Sequence, residues 1–475
     1  MSTSEQATAD TAEPSEPQPD ATGVVYRLED RPPLPTTLLA ALQHLLAIFV
    51  GIVTPTLVLS GPLGLEPEDT NYLISMALIV SGVATFIQVR RIGPVGSGLL
   101  SIQGTSFAFL GPMIAAGTAV GGGTAALAMI YGITLAGSFI EMALSRVMHL
   151  LRKILTPVVT GTVVCLIGLS LIDTGITDMA GGAATIGTDD FASGKNLAVA
   201  GVVLVTVIAL NRSRNTYVRM GAIVIGLVVG YAVAALLGMV TAPSLSGLPV
   251  VNVPVPFAYG LDFSWSLFLP VAFIFLITAI ETTGDLTATS MVSGEPVKGE
   301  TYVRRIKGGV LGDGVNSALA AVFNSFPNTT FSQNNGVIQL TGVASRWIGM
   351  FVAGMLVLVG LFPVVPALVT SMPRPVLGGA TIIMFGTVAA AGIKIIASSE
   401  NKLDRRDVLI LAVSFALGLG VELVPDVLSH LPATAQSVFG SPITTGGLTA
   451  IVLNLVLPRE KASYEEAAEG ETMEA

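Results

Sequence analysis

The sequence predicts an all-α polytopic membrane protein of fourteen segments, folded as two inverted repeats of seven. Three observations carry that prediction. The 475 residues are 52% hydrophobic and only 12% charged, a balance suited to hydrocarbon and not to a soluble globule. Apolar runs follow one another along the chain, near 36–59, 71–89, 99–117, 123–145, 154–172, 197–210, 221–240, 264–284, 308–325, 334–345, 347–369, 376–393, 408–424 and 443–457. With that count and a cytoplasmic N-terminus, all of the 23 Lys and Arg except Lys195 and Arg374 fall on the cytoplasmic side. Such an excess is what fixes orientation during insertion.

Residues 1–33, rich in Ser, Thr, Glu and Pro, read as a disordered cytoplasmic tail, and 459–475 as a second, acidic one. Between them lie a first repeat at 34–241, an outside connection at 242–263 with no Lys or Arg, and a second repeat at 264–458. A half with an odd number of spans inserts with the opposite orientation to its copy, hence the inversion. Asp178, Asp189 and Asp190 fall in an outside loop. The net charge of −9 comes largely from the tails, and no nucleic-acid partner is expected. Cys165 is alone in an apolar run, and the three histidines are dispersed, so neither a disulfide nor a metal site is expected. No nucleophile–base set or phosphate-cradling loop points to an enzyme.

The chemistry concentrates in a few stretches. Phe331 to Gly342 reads FSQNNGVIQLTG, a cluster of amides inside a hydrophobic landscape. Buried amides are costly unless they line a cavity or hold a polar ligand. Ser101 to Phe107 is its counterpart, since both interrupted segments stand third in their half, the best sequence pointer to a midplane substrate site. In the eighth span Glu281 and Asp285 are four residues apart, on one helix face. Acids so deep in a span mark substrate or proton sites, and a carboxyl exchanges a proton without any cofactor. Glu281 accepts two ring N–H groups, while Gln333 offers one donor and one acceptor, a set suited to a flat heterocycle. Phe107, beside Gly104, Thr105, Ser106 and Ala108, serves either as an aromatic wall or as core packing. His44, after Gln43 in the first span, reads as a buried hydrogen-bonding support, and Asp313, Asn316 and Asn324 as further support. Glu141 and Glu422, near span ends, read as solvated.

QNNGVIQLTG, Gln333 to Gly342, resembles the signature motif of the nucleobase–ascorbate transporter family: Gln, Glu or Pro, then Asn-any-Gly, four residues, Thr, and Arg, Lys or Gly. The Gln43-His44 pair and the ETTGD from Glu281 to Asp285 resemble that family's other motifs, in its order. The resemblance spans about residues 33–458 and implies a core domain (segments one to four and eight to eleven) and a gate domain (five to seven and twelve to fourteen). It also implies short strands in segments three and ten, a homodimer, and elevator-type transport in a bacterial-type inner membrane. Carried over residue by residue, Glu281 and Gln333 resemble the principal substrate pair. Asp285 and Asn334 resemble its polar partners or proton-coupling groups, His44 a supporting histidine, and Phe107, Thr105 and Ala108 the third-segment contact to the base. The family's usual bacterial coupling ion is H⁺, with Na⁺ the other cation that carboxylates and broken-helix carbonyls hold. Gln333 and Gly342 resemble the xanthine and urate permeases; Thr105, where some xanthine-selective members have Asn, tilts the reading toward urate. The rival readings are a uracil or pyrimidine permease, against which Gln333 argues, and a sulfate-permease-like anion transporter. An anion site would want positive charge or helix N-termini, not Glu281.

Overall fold

The computed structural model describes residues 24–151, 156–215, 218–219, 221–240, 249–397 and 403–458. The expected tails at 1–23 and 459–475, part of the expected connection, and Arg152, Lys153, Lys402, Arg459 and Lys461 lie outside the described residues. The fold is almost wholly helical: α1 Leu34–Ser60, α2 Pro67–Arg90, α3 Leu110–Ala119, α4 Gly123–Leu151, α5 Pro157–Ser170, α6 Ile172–Met179, α7 Gly194–Asn211 and α8 Ala222–Leu236. Then come α9 Trp265–Val292, α10 Gly299–Val322, α11 Gln333–Thr341, α12 Arg346–Leu361, α13 Val364–Thr370, α14 Arg374–Ala397, α15 Arg405–Leu423, α16 Ala433–Phe439 and α17 Pro442–Val456. Among the described residues, seven helical stretches are long and apolar enough to cross a membrane. The pair α12 and α13, bent by 74°, makes an eighth. The chain is therefore a multi-pass membrane protein.

Helix starts follow local chemistry. Pro157 opens α5 behind Thr156, whose hydroxyl accepts from the Val159 N–H, and Pro442 opens α17 behind Ser441 in the same way. Gly342, at φ +67°, ends α11 in the left-handed conformation that a side chain disfavours.

The centre is a two-stranded antiparallel pair, β1 Gln103–Thr105 and β2 Asn328–Thr330, in the register Gln103 with Thr330, Gly104 with Thr329 and Thr105 with Asn328. Pairing satisfies backbone groups that hydrocarbon would leave orphaned where the helices are broken. The second strand precedes the amide cluster and does not include Gln333, which instead opens α11. A polar NTT run needs a partner strand, which hydropathy cannot reveal. Phe331 wedges between α1 and β1: a Cβ on Gly51 or Gly104 would stand 2.8 or 2.6 Å from its ring. Gly104→Ala is thus expected to overpack the crossing by about 1–3 kcal/mol. A lower Tm in detergent with reduced uptake is the expected result, and an unchanged Tm would show that the Phe331 wedge yields freely.

Around the strands, α2 packs on α12, α4 on α10, α1 on α12 and α4 on α9; α14 packs on α5, α6 and α7, and α15 on α17. The described part of the connection lies over one end of the first set. Asn252 Nδ2 donates to Ser75 Oγ (2.5 Å), Phe257 N to Val322 O (2.8 Å) and Asp262 N to Ala128 O (2.9 Å). Tyr259 Oη donates to Asp69 Oδ1 at 2.7 Å. Burial and that hydrogen bond raise the Tyr259 hydroxyl far above its ordinary value, so it remains a donor. Asn324, expected near the site, instead holds this connection through Val255 O (2.6 Å).

Three further expectations are corrected. Residues 24–32, counted with the tail, are packed: Val24 and Leu28 are buried, and Ala344 N donates to Tyr26 O at 2.9 Å. Asp178, expected in a loop, is buried in α6, 3.9 Å from Arg374. Glu141, expected in water, is fully buried where α4 packs on α9 and α10, with Thr278 of α9 against its carboxyl.

Candidate substrate site

The site forms where α9 crosses the strand pair and α11. Glu281 and Asp285 stand one turn apart on α9, both partly accessible. Asp285 Oδ2 accepts from Thr330 Oγ1 at 3.0 Å, and Thr289, one turn further, lies 2.7 Å through its hydroxyl from Asn335 Oδ1. Thr330 and Asn335 bracket Gln333, so α9 is tied to the amide cluster on both sides of that residue. Glu281 Oε2 is buried and has no hydrogen-bond partner. Its side chain borders a narrow gap lined by Thr160, Val163 and Val164 of α5 and Ile451 of α17.

Asn334 Nδ2 donates to Leu100 O, which anchors α11 to the segment leading into β1. Its Oδ1 has no partner, and neither ring nitrogen of the fully buried His44 has one, although the two residues approach each other. Thr105 Oγ1 and Ser106 Oγ are likewise buried and unpartnered. Buried polar atoms of this kind are ordinarily hydrogen-bonded, so these groups are candidates to meet a polar ligand or water. Asp313 on α10 accepts from the Thr282 hydroxyl, and the Thr330 backbone and the Gln103 side chain also face it.

The structure therefore ties Asp285 and its helix to the segment that carries Gln333, sets Glu281 one turn away on α9, brings Asn334 near His44, and buries Thr105 and Ala108. Phe107 is different. Its ring meets Phe385 of α14 edge-on at a centroid distance of 5.9 Å, so it packs against that helix. Sequence reasoning passed over Thr330, Thr282 and Gln103 as site-forming groups. The polar run NTT ahead of Gln333 was the available signal for the first.

A model of the Permease family matches residues 35–427. The chain is 53% identical over 445 residues to the xanthine permease XanP of Escherichia coli (strain K12), covering 92% of this chain and 95% of that protein. It is 47% identical over 439 residues to xanthine permease XanQ of the same organism, covering 92% and 94%. Among solved structures it resembles the transmembrane domain of a cyanobacterium bicarbonate transporter, BicA, at a TM-score of 0.53 and 15% identity, covering 89% of this chain and 97% of that one; at that identity the fold alone is shared. The match along most of the chain makes this protein a member of the nucleobase–ascorbate transporter family of permeases.

Proposed function

We propose that this permease is a secondary active importer of purine bases, with xanthine as principal substrate and urate as a second, driven by H⁺. The observation that carries the reading is Glu281. It is an acid inside a span with an unpartnered oxygen, one turn from an Asp285 tied to the segment that presents Gln333. Glu281 receives two ring N–H groups and Gln333 pairs with a neighbouring N–H and C=O edge. Asp285, His44 and Asn334 position that pair or pass the proton, and Thr105, Phe107 and Ala108 bound the base. Two close relatives bearing the name xanthine permease support the substrate class.

The transport movement is an elevator shift of a core against a gate. Its support is the packing: α1–α4 and α9–α12 associate with one another around the strands, α5–α8, α14, α15 and α17 among themselves, and Glu281 borders the gap between the groups. The same packing supports two inverted repeats of seven within fourteen segments. Exchanging α1 with α9, α2 with α10 and α4 with α12 turns the α2–α12 pair into α10–α4 and the α1–α12 pair into α9–α4. The charge asymmetry supports an inner-membrane protein with both termini cytoplasmic, and the family resemblance a homodimer.

Labelled xanthine uptake into expressing cells, with and without a protonophore, tests the reading. Saturable uptake that the protonophore collapses and that urate competes, while uracil does not, is expected. Uptake competed by uracil and not by urate would transfer the site to pyrimidines.

A further inference from the structure

One buried acid takes no part in the scheme above. Glu141 lies fully buried in α4, and its Oε2 has no hydrogen-bond partner. The helices packed on α4 are α10, α9 and α3. They bring Asp313 and Glu281 within electrostatic reach of it, and α3 has no titratable residue. Asp313 Oδ1 and Glu281 Oε2 are buried and unpartnered as well. Three acids on packed helices, each with a buried oxygen that lacks a hydrogen-bond partner, repel one another when ionised.

The hydroxyl of Thr278 links Glu141 to the substrate helix. Thr278 Oγ1 lies 3.2 Å from Glu141 Oε1 and 3.3 Å from Phe275 O. It has one hydrogen, and a carbonyl oxygen only accepts. When that hydrogen goes to Phe275, the remaining contact needs a protonated Glu141 as donor; when Glu141 is ionised, the hydroxyl turns to donate to it. The rotor thus follows the charge of Glu141, one turn of α9 from Glu281. Thr282, the next hydroxyl along that helix face, donates to Asp313.

We propose that Glu141 is a further proton-handling residue of the transport cycle, sharing one exchangeable proton with Asp313 beside the substrate pair. The exchange balances by itself: one carboxyl O–H bond breaks, another forms, and no other reactant enters. Charge placed on Glu141 reorients Thr278 and weakens the retention of charge at Glu281, which links proton release to the state of the site.

This inference rests on the proton-driven reading, and the test separates the two. Unmodified protein in proteoliposomes is assayed first for xanthine accumulation under an imposed pH gradient; failure there removes the coupling reading and this proposal with it, whereas success followed by a failed variant prediction removes the proposal alone. Glu141→Gln keeps the shape and a hydrogen bond but cannot release a proton. Its expected result is exchange of internal for external xanthine within about twofold of the unmodified protein, with accumulation lost to equal concentrations on both sides. Glu141→Asp is expected to restore accumulation. Full accumulation by Glu141→Gln overturns the proposal, and so does loss of exchange together with accumulation at normal membrane abundance, which would make Glu141 part of the frame. Should Glu141→Gln fail to reach the membrane, Thr278→Val decides: a shifted pH profile of accumulation with unchanged exchange supports the proposal, and an unchanged profile overturns it.

Discussion

Glu281→Gln is expected to abolish uphill accumulation of xanthine while the protein remains in the membrane. The Glu281 carboxylate can accept two N–H donors at once, and Oε2 has no partner among the described residues to replace. An amide of the same shape accepts one and presents a donor to the other, so a charged hydrogen bond is lost and a clash of donors is gained. A hydrogen bond to a charged group is worth about 1.5–3 kcal/mol, which lowers binding about 10- to 100-fold. Net transport falls further, because the amide also carries no exchangeable proton. Uptake under a proton gradient, with membrane abundance followed by immunoblot, reads both effects. Accumulation equal to that of the unmodified protein would sink the role given to Glu281.

Gln333→Glu has the second largest expected effect, and it falls on choice more than on rate. The substitution removes an N–H₂ donor at the opening of α11 and sets an acceptor against the purine carbonyl. A mispaired edge in a desolvated site costs about 1–3 kcal/mol, so xanthine and urate should weaken about 5- to 150-fold. Uracil, whose N–H edge suits a second acceptor, should gain ground in competition. The Asp285–Thr330 and Thr289–Asn335 bonds that hold the segment involve neither atom that changes, so the fold should persist. A substrate ranking identical to that of the unmodified protein would reduce Gln333 to a scaffold residue.

The helices were legible because a span in hydrocarbon must be apolar over a set length: α1, α2, α9 and α14 lie close to their hydrophobic runs. The Glu281–Asp285 pair was legible for the converse reason, as acids with no cheap place in such a run. Less legible was whatever depends on a partner distant in sequence. The short strand expected of the tenth segment lies ahead of its apolar run, at 328–330, a place not legible because three polar residues signal a strand only beside β1. Glu141 was misplaced because hydropathy falls off at Arg146, which put it near a span end, whereas the packing of α4 on α9 and α10 buries it. Residues 24–32 have an ordinary tail composition, and only their backbone contacts with 342–346 reveal that they are part of the fold. Phe107 showed the limit from the other side, since spacing could not say which helix its ring would meet.

Those contacts at the N-terminal end bear on how the chain is made. Ser345 Oγ donates to Asp30 O across 315 residues, and Arg346 reaches Glu29 across 317. Residues 24–31 leave the ribosome before any helix exists, yet the loop they clasp follows the second broken segment, which emerges after ten of the seventeen helices described above. The strand pair obeys the same schedule, with β1 waiting for β2. Helices can insert one by one as they are synthesised, but the substrate site closes only when late sequence returns to early sequence. Contacts of such long range form slowly and last. A nascent chain interrupted before residue 328 would therefore hold inserted early spans with β1 unpaired and no site assembled.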